Sequence, residues 1–90
     1  MGTALIILKI MPKSPQTNLE NIKVEAKKII EKNKGKNPRF EEEPIAFGLK
    51  AVKAFFELNE DNELEPIENN LAKIKEVNSV TVEDMRRAFG

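Results

Sequence analysis

The sequence predicts an α+β domain of order βαββαβ, in which two helices cover one face of a four-stranded antiparallel sheet. Two observations lead to this prediction. Four segments have the apolar runs or period-two alternation of strands, and the two segments between them carry apolar residues at helical spacing. The chain has 90 residues, enough for one hydrophobic core. We therefore expect a single domain over residues 1–90.

The first strand and the first helix occupy the N-terminal third. Thr3 to Met11 is an apolar run with one charge, at Lys9, as expected of a central strand. Thr17 and Glu20 have the spacing of a capping box, in which two side chains satisfy free amides reciprocally, so a helix should begin there. Its apolar residues form one stripe that ends near Lys32.

Two strands follow, joined by a short connection. Residues 40–45 resemble a short acidic strand, which Pro44 confines to a sheet edge or a strand end because proline cannot donate to the ladder. Residues 51–58 alternate with period two, as in a strand with one buried face. Ala46-Phe47-Gly48 connects them.

The last third predicts a helix and a strand. Residues 64–74 carry apolar side chains at helical spacing, with Pro66 tolerated in the first turn. Val80 and Val82 then alternate with polar residues. Because Met85 breaks this alternation, we expect a bulge or the end of the strand near Asp84.

This order closes as a ferredoxin-like sandwich, which leaves one sheet face without helices. On this open face we place a set that is more apolar than water favours: Leu5, Ile7, Lys9, Met11, Lys53 and Phe55. A partner protein or self-association through this face would explain the set. Ordinary amphipathic composition with loop cover explains it equally well.

The residues that are absent exclude several classes of function. The chain has no Cys and no His, so it has neither a disulfide nor a thiolate zinc site, and it contains no Gly-rich phosphate loop. We expect no catalytic residue, no metal and no cofactor. The longest apolar run, Ala4 to Leu8, is too short to span a membrane. We therefore expect a cytoplasmic protein without a membrane partner.

Charge is unevenly distributed although the formal net charge is zero. Residues 20–39 hold seven Lys or Arg against three Glu, and residues 41–68 hold nine Asp or Glu against two Lys. A nucleic-acid binder needs a dominant basic surface, whereas here the basic segment is diluted by Glu20, Glu25 and Glu31. We expect a solvated helix face and no direct contact with nucleic acid.

The segment EPIAFGLK, from Glu43 to Lys50, resembles the signature of the archaeal elongation factor 1-beta family. Three flanking features resemble the same family: KIMP at the end of the first strand, TNLE at the helix start, and the tail VNSVTVEDMRR. The resemblance implies a ferredoxin-like translation factor that binds the nucleotide-free state of elongation factor 1-alpha and promotes exchange of GDP for GTP. Such exchange acts through binding and needs no covalent chemistry.

The resemblance also suggests which residues contact the GTPase. In the signature, these are Pro44, Ile45, Phe47, Gly48 and Lys50. Phe47 leads as an aromatic anchor held outward at a strand connection, and folding of the ring over its own core is the alternative. Gly48 should serve the backbone conformation. Lys50 either pairs with acidic groups of the partner or is simply solvated.

The tail departs from the wider family. Eukaryotic relatives place a lysine next to the C-terminus to disturb the magnesium site of the partner, and Gly90 stands there in this chain. Arg86 or Arg87 could supply the cation instead, and a solvated terminal charge is the alternative for each.

Two other functions on the same fold remain as alternatives. An RNA-binding domain would need exposed aromatics on the central strands, where only Phe55 qualifies. A small-ligand-binding domain or an acylphosphatase-like enzyme would need a phosphate-binding Arg and Gly after the first strand, and residues 11–15 contain neither.

Overall fold

A computed structural model describes the backbone of residues 2–89 and the side chains of residues 2–87. The elements follow the predicted order. The strands are β1 (Thr3–Pro12), β2 (Lys36–Pro44), β3 (Lys50–Asn59) and β4 (Val77–Phe89), and the helices are α1 (Leu19–Lys32) and α2 (Glu65–Ala72).

The four strands form one sheet of order β2-β3-β1-β4, in which every neighbouring pair is antiparallel. β1 is central, as its apolar sequence predicts. β2 lies at one edge, with Pro44 as its last residue, so both positions that proline tolerates are used. The predicted ferredoxin-like topology is confirmed.

A single core lies between the sheet and the two helices. Alternate side chains of β1 and β3 point into it, and each helix adds one buried stripe. Its members include Ile6, Leu8 and Ile10 from β1, Val52, Ala54, Phe56 and Leu58 from β3, Ile22, Ala26 and Ile30 from α1, and Ile67 and Leu71 from α2. Burial of each large aliphatic or aromatic side chain contributes about 1.5–3 kcal/mol relative to exposure. Both helices therefore cover the same sheet face.

The N-terminus of α1 corrects the predicted capping box. Asn18, rather than Thr17, is the N-cap, and its side-chain oxygen accepts hydrogen bonds from the amides of Glu20 and Asn21 at 3.0 and 3.3 Å. The Thr17 hydroxyl instead accepts a 3.3 Å hydrogen bond from the Ser14 amide. Asparagine is as good a cap as threonine, so the two neighbouring candidates compete for one position.

An ion-pair cluster links α1 to the edge strand β2. Lys23 Nζ lies 2.8 Å from a carboxylate oxygen of Glu42 and 2.9 Å from one of Glu20. The hydrogen bond with Lys23 lowers the pKa of Glu42, and the bonds to Glu42 and Glu20 raise the pKa of Lys23. Glu20 thus serves this cluster and does not reach back to the helix cap.

α2 is shorter than its apolar pattern predicts. It ends at Ala72, and Ile74 packs against the core from the turn that follows, in which Glu76 has a φ of 73°. A turn residue can occupy the next position of an apolar stripe without being helical. Pro66 lies in the first turn of α2, as expected.

Both edge strands are longer than predicted. β2 begins at Lys36, with an irregular register before Arg39. In β4, Asp84 pairs with Ile7 while Val82 pairs with Leu8, so Glu83 is the extra residue of a bulge. The bulge expected near Asp84 is confirmed. The strand continues beyond it and pairs with the first residues of β1.

Neither helix in the described part of the chain has the length and apolar composition that crossing a membrane requires.

Gly35 generates a test of the packing between α1 and β2. It is buried, and its amide donates a 2.8 Å hydrogen bond to the Ile30 carbonyl. A Cβ at this position would collide with the Ile30 side chain and lie 3.2 Å from the Phe56 ring. We expect Gly35→Ala to lower the free energy of unfolding by about 1–3 kcal/mol through overpacking.

Urea unfolding would measure this loss, with the exposed neighbour Lys36→Ala as the control that should stay near the wild type. An unchanged midpoint for Gly35→Ala would mean that the packing around Ile30 is looser than described.

Candidate functional site

The connection between β2 and β3 is a tight turn of unusual backbone conformation. The Leu49 amide donates to the Ala46 carbonyl at 3.0 Å, and the Ile45 amide donates to the Leu49 carbonyl at 2.8 Å. The two central residues, Phe47 and Gly48, have φ values of 57° and 80°. Two consecutive positive φ values are typical of a type I′ turn, which favours Asn, Asp or Gly at both positions.

Phe47 is the most exposed large apolar side chain among residues 2–87. The residue is 96% exposed, so its ring does not fold back over the core. Its left-handed backbone conformation costs a non-glycine residue about 1–2 kcal/mol. Neither feature stabilises the monomer. A strained residue whose side chain lies wholly in water is typical of a contact reserved for another molecule.

Gly48 lies beside the loop that connects β1 to α1. A Cβ on Gly48 would come within 3.8 Å of Pro15 Cβ, which is an ordinary contact, so the positive φ and not the lack of space favours glycine here. The two loops enclose a cleft of about 180 Å³ lined by Pro12, Ser14, Pro15, Leu19, Glu42, Gly48 and Lys50. The β1–α1 loop therefore belongs to the same surface as Phe47.

The signature residues form one group at this end of the sheet, which we name the turn end: Pro44, Ile45, Phe47, Gly48 and Lys50. Pro44 pairs with Lys50 across the hairpin, both are exposed, and Ile45 is 40% exposed. The group presents apolar surface with one cation. The neighbouring Pro12–Pro15 segment, whose signal in the sequence is the KIMP motif that ends at Pro12, lines the cleft beside this group.

Arg86 and Arg87 lie at the opposite end of the sheet, which we name the tail end. They pair with Leu5 and Ala4, near the start of β1, whereas the turn end lies beyond its last residues. Lys50 lies level with Pro12, seven to eight residues along β1 from Leu5 and Ala4, which corresponds to about 25 Å, and Phe47 lies further out. The structure therefore divides the expected partner-binding residues between two ends of the molecule. Gly90 lies outside the described residues.

Both tail arginines are engaged in ion pairs. Arg87 Nε and Nη2 donate to the two carboxylate oxygens of Glu60 at 2.8 and 3.0 Å. This fork lowers the pKa of Glu60 and raises that of Arg87. Arg86 Nε lies 2.7 Å from Asp84 Oδ2. Glu60, which sequence analysis did not single out, thus ties the end of β4 to the β3–α2 turn.

The open face carries the six residues expected there, because they alternate with the core residues of β1 and β3. An ion-pair network crosses the face. Lys53 lies 2.7 Å from Glu83 and 3.9 Å from Glu43, Lys9 lies 3.5 Å from Glu43, and the hydrogen bond with Glu83 raises the pKa of Lys53. Lys53 Nζ also lies 5.8 Å from the centre of the Phe55 ring. The face is therefore more polar than expected.

Lys50 is the only ionisable group among the five residues of the turn end, and no nucleophile is paired with a base among them. Within residues 2–87, no three acidic side chains are placed to hold a metal ion.

Comparison with known proteins gives a consistent assignment. Residues 5–88 match the family described as the EF-1 guanine nucleotide exchange domain. The chain is 46% identical to elongation factor 1-beta of Methanocaldococcus jannaschii, over 92% of this chain and 96% of the relative. It is 40% identical to the protein of the same name from Methanosphaera stadtmanae and 34% identical to that of Staphylothermus marinus, each over 97% of this chain and 98% of the relative.

The strained backbone at Phe47 predicts that removing the ring costs little stability and that asparagine at this position increases it. Phe47→Ala should change the free energy of unfolding by less than about 1 kcal/mol, because the ring packs against nothing. Phe47→Asn should raise it by about 1 kcal/mol, because asparagine tolerates the left-handed region. Urea unfolding of both variants beside the wild type measures these changes. A loss of about 3–5 kcal/mol in Phe47→Ala would instead identify a core residue.

Proposed function

This chain belongs to the EF-1 guanine nucleotide exchange domain family, and on that premise we propose that it is a translation elongation factor which promotes exchange of GDP for GTP on elongation factor 1-alpha. It acts by binding the nucleotide-free state of that GTPase in the cytoplasm. It forms no covalent intermediate and needs no cofactor.

The observation that carries this proposal is the nearly complete exposure of Phe47 to solvent. Interface anchors are commonly large aromatic side chains that fill a pocket on the partner. The type I′ turn fixes the backbone on both sides of the ring, so little entropy is lost when the ring is buried. Ile45 and Pro44 extend the apolar surface, and Lys50 supplies a cation for an acidic rim.

Exchange follows from binding by thermodynamic linkage. Suppose a protein binds the nucleotide-free GTPase more tightly than the GDP-bound form. It must then lower the affinity of the GTPase for GDP by the same factor by which GDP lowers the affinity of the GTPase for that protein. The nucleotide's affinity depends strongly on its phosphate and magnesium contacts. An exchange factor therefore needs a surface that binds the GTPase and a group that disturbs the phosphate and magnesium contacts.

We assign these two tasks to the two ends of the molecule. The turn end binds the GTPase through Phe47. The tail end supplies the disturbance through Arg86 or Arg87, whose guanidinium groups are exposed although each is ion-paired. The two ends lie at least about 25 Å apart, so one GTPase would contact both only if the chain lies lengthwise along it.

Release of a fluorescent GDP from purified elongation factor 1-alpha tests the proposal. We expect acceleration at substoichiometric concentrations of this chain, because one molecule should serve many GTPases in turn. A release rate that does not change at micromolar concentrations of the chain would refute the proposed function.

Loss of the Phe47 ring should weaken binding to the GTPase. We expect Phe47→Ala to reduce affinity for nucleotide-free elongation factor 1-alpha by roughly 30- to 1000-fold, the effect of removing an aromatic anchor. Isothermal titration calorimetry measures the affinity. Val24→Ala is the matched control, because Val24 is a half-exposed apolar residue on α1. Equal affinities of the two variants would remove Phe47 from the interface.

The tail arginines should affect exchange more than binding. Deletion of the tail would also break its pairing with β1, so single substitutions are the cleaner test. We expect Arg86→Gln or Arg87→Gln to lower the maximal rate of GDP release at least about ten-fold, with affinity for the nucleotide-free GTPase changed less than about three-fold.

Glu60→Gln separates the two roles open to Arg87. It breaks the fork but keeps the guanidinium. If Arg87 only holds the end of β4 in place, Glu60→Gln should slow exchange as much as Arg87→Gln does. If Arg87 acts on the partner, Glu60→Gln should leave exchange faster than Arg87→Gln does. Full exchange rates in both arginine variants would exclude them from the mechanism.

A further inference from the structure

β4 presents a long free edge of the sheet. It spans Val77–Phe89, the longest strand, and it pairs with β1 on one side only. Backbone amides and carbonyls on the outer side of an edge strand can pair with another strand. Within one copy the Met85 amide donates a 2.8 Å hydrogen bond to Asp84 Oδ1, so a pairing centred on Met85 must exchange this bond. Val82 and Met85, which are 41% and 54% exposed, lie along the same strand.

The opposite edge is protected against such pairing. β2 carries three consecutive acidic residues, Glu41 to Glu43, and two prolines, Pro38 and Pro44. Two copies of β2 would bring like charges together, and proline lacks the amide that a ladder needs. The β2 edge therefore disfavours a second strand.

The charges of β4 are instead complementary to those of a second, antiparallel copy of β4. Asp84, Met85 and Arg86 are consecutive, so antiparallel pairing of two copies about Met85 sets each Asp84 opposite Arg86 of the second copy. Within one copy, Arg86 already lies 2.7 Å from Asp84. Two copies would close a ring of four charges in which every neighbour has the opposite sign.

The two sides of the strand agree with this register. Asp84 and Arg86 pair with Ile7 and Leu5 and so lie on the open face. Met85 pairs with Ile6 on the helix side, next to a cleft of about 320 Å³ whose apolar lining includes Ala4, Ile6, Leu58 and Leu64. The same pairing therefore joins the charges on one face and covers Met85 on the other.

We propose that two copies of this chain associate through β4, by antiparallel pairing centred on Met85, to form a continuous eight-stranded sheet. The interface is isologous, because each copy contributes the same acidic and basic residues. It differs from self-association through the open face, since the strands meet edge to edge. It does not depend on the proposed function. Because it engages Arg86, a chain that acts on the GTPase through this residue does so as a monomer.

Sedimentation velocity from about 1 µM to about 1 mM tests the dimer over the range in which weak interfaces associate. Asp84→Arg places two arginines opposite each other at two positions, so it should weaken association at least about ten-fold. Arg86→Asp should do the same with two aspartates. The double variant Asp84→Arg/Arg86→Asp restores every opposite-sign pair and should restore association.

Glu31→Arg is the matched control, because it makes the same change of charge at an exposed position of α1, away from both edge strands; it should leave association unchanged. Circular dichroism establishes that each variant is folded. A wild type that stays monomeric up to about 1 mM overturns the proposal. Failure of the double swap to restore association, in a folded protein, overturns it as well, as does a Glu31→Arg effect equal to that of Asp84→Arg.

Discussion

β1 packs Ile6, Leu8 and Ile10 beneath both helices while its backbone pairs with β3 on one side and β4 on the other. A shift of one residue in either pairing would turn a whole apolar set to the open face, so the core fixes the register of the sheet. The fixed register places the β2–β3 turn beyond the last residues of β1 and brings Arg86 and Arg87 beside its first residues. The positions of the turn end and the tail end are thus a consequence of how β1 is buried.

The turn end carries a cost that the rest of the fold must offset. Phe47 occupies a left-handed position that suits Asn or Gly, and its ring gains nothing from the core. The cost of about 1–2 kcal/mol is a sizeable share of the 5–15 kcal/mol that holds a domain together. The backbone bonds of Ile45 and Leu49 hold the turn closed in spite of it. Stability alone would favour asparagine or glycine at this position, so the presence of phenylalanine supports the proposed role of Phe47 in binding.

The sequence predicted the fold well where burial decides structure. The alternation along β1 and β3 predicted the strands and their buried faces, because a central strand leaves few other ways to satisfy the pattern. Prediction failed where local alternatives are nearly equal in energy. Asn18 and Thr17 are both good caps, and Ile74 fits the apolar stripe of α2 without being helical.

For the candidate site, the sequence identified Phe47 and Gly48 but not the strained backbone or the separation of the two ends. Conformation at a single turn depends on the register of the whole hairpin, which no local pattern contains. The fork between Arg87 and Glu60 joins residues 27 positions apart, and charges that are abundant along the chain give no signal of which pairs will form. These contacts needed the folded structure.

Thermodynamic linkage between GDP and this chain on elongation factor 1-alpha tests the proposed exchange function. The affinity of GDP for elongation factor 1-alpha would be measured with and without saturating amounts of this chain, and the affinity of this chain for the GTPase with and without saturating GDP. We expect each ligand to weaken the binding of the other to the GTPase by the same factor, of at least about ten. Equal binding of this chain to the GDP-bound and nucleotide-free GTPase, with GDP affinity unchanged, would contradict this expectation.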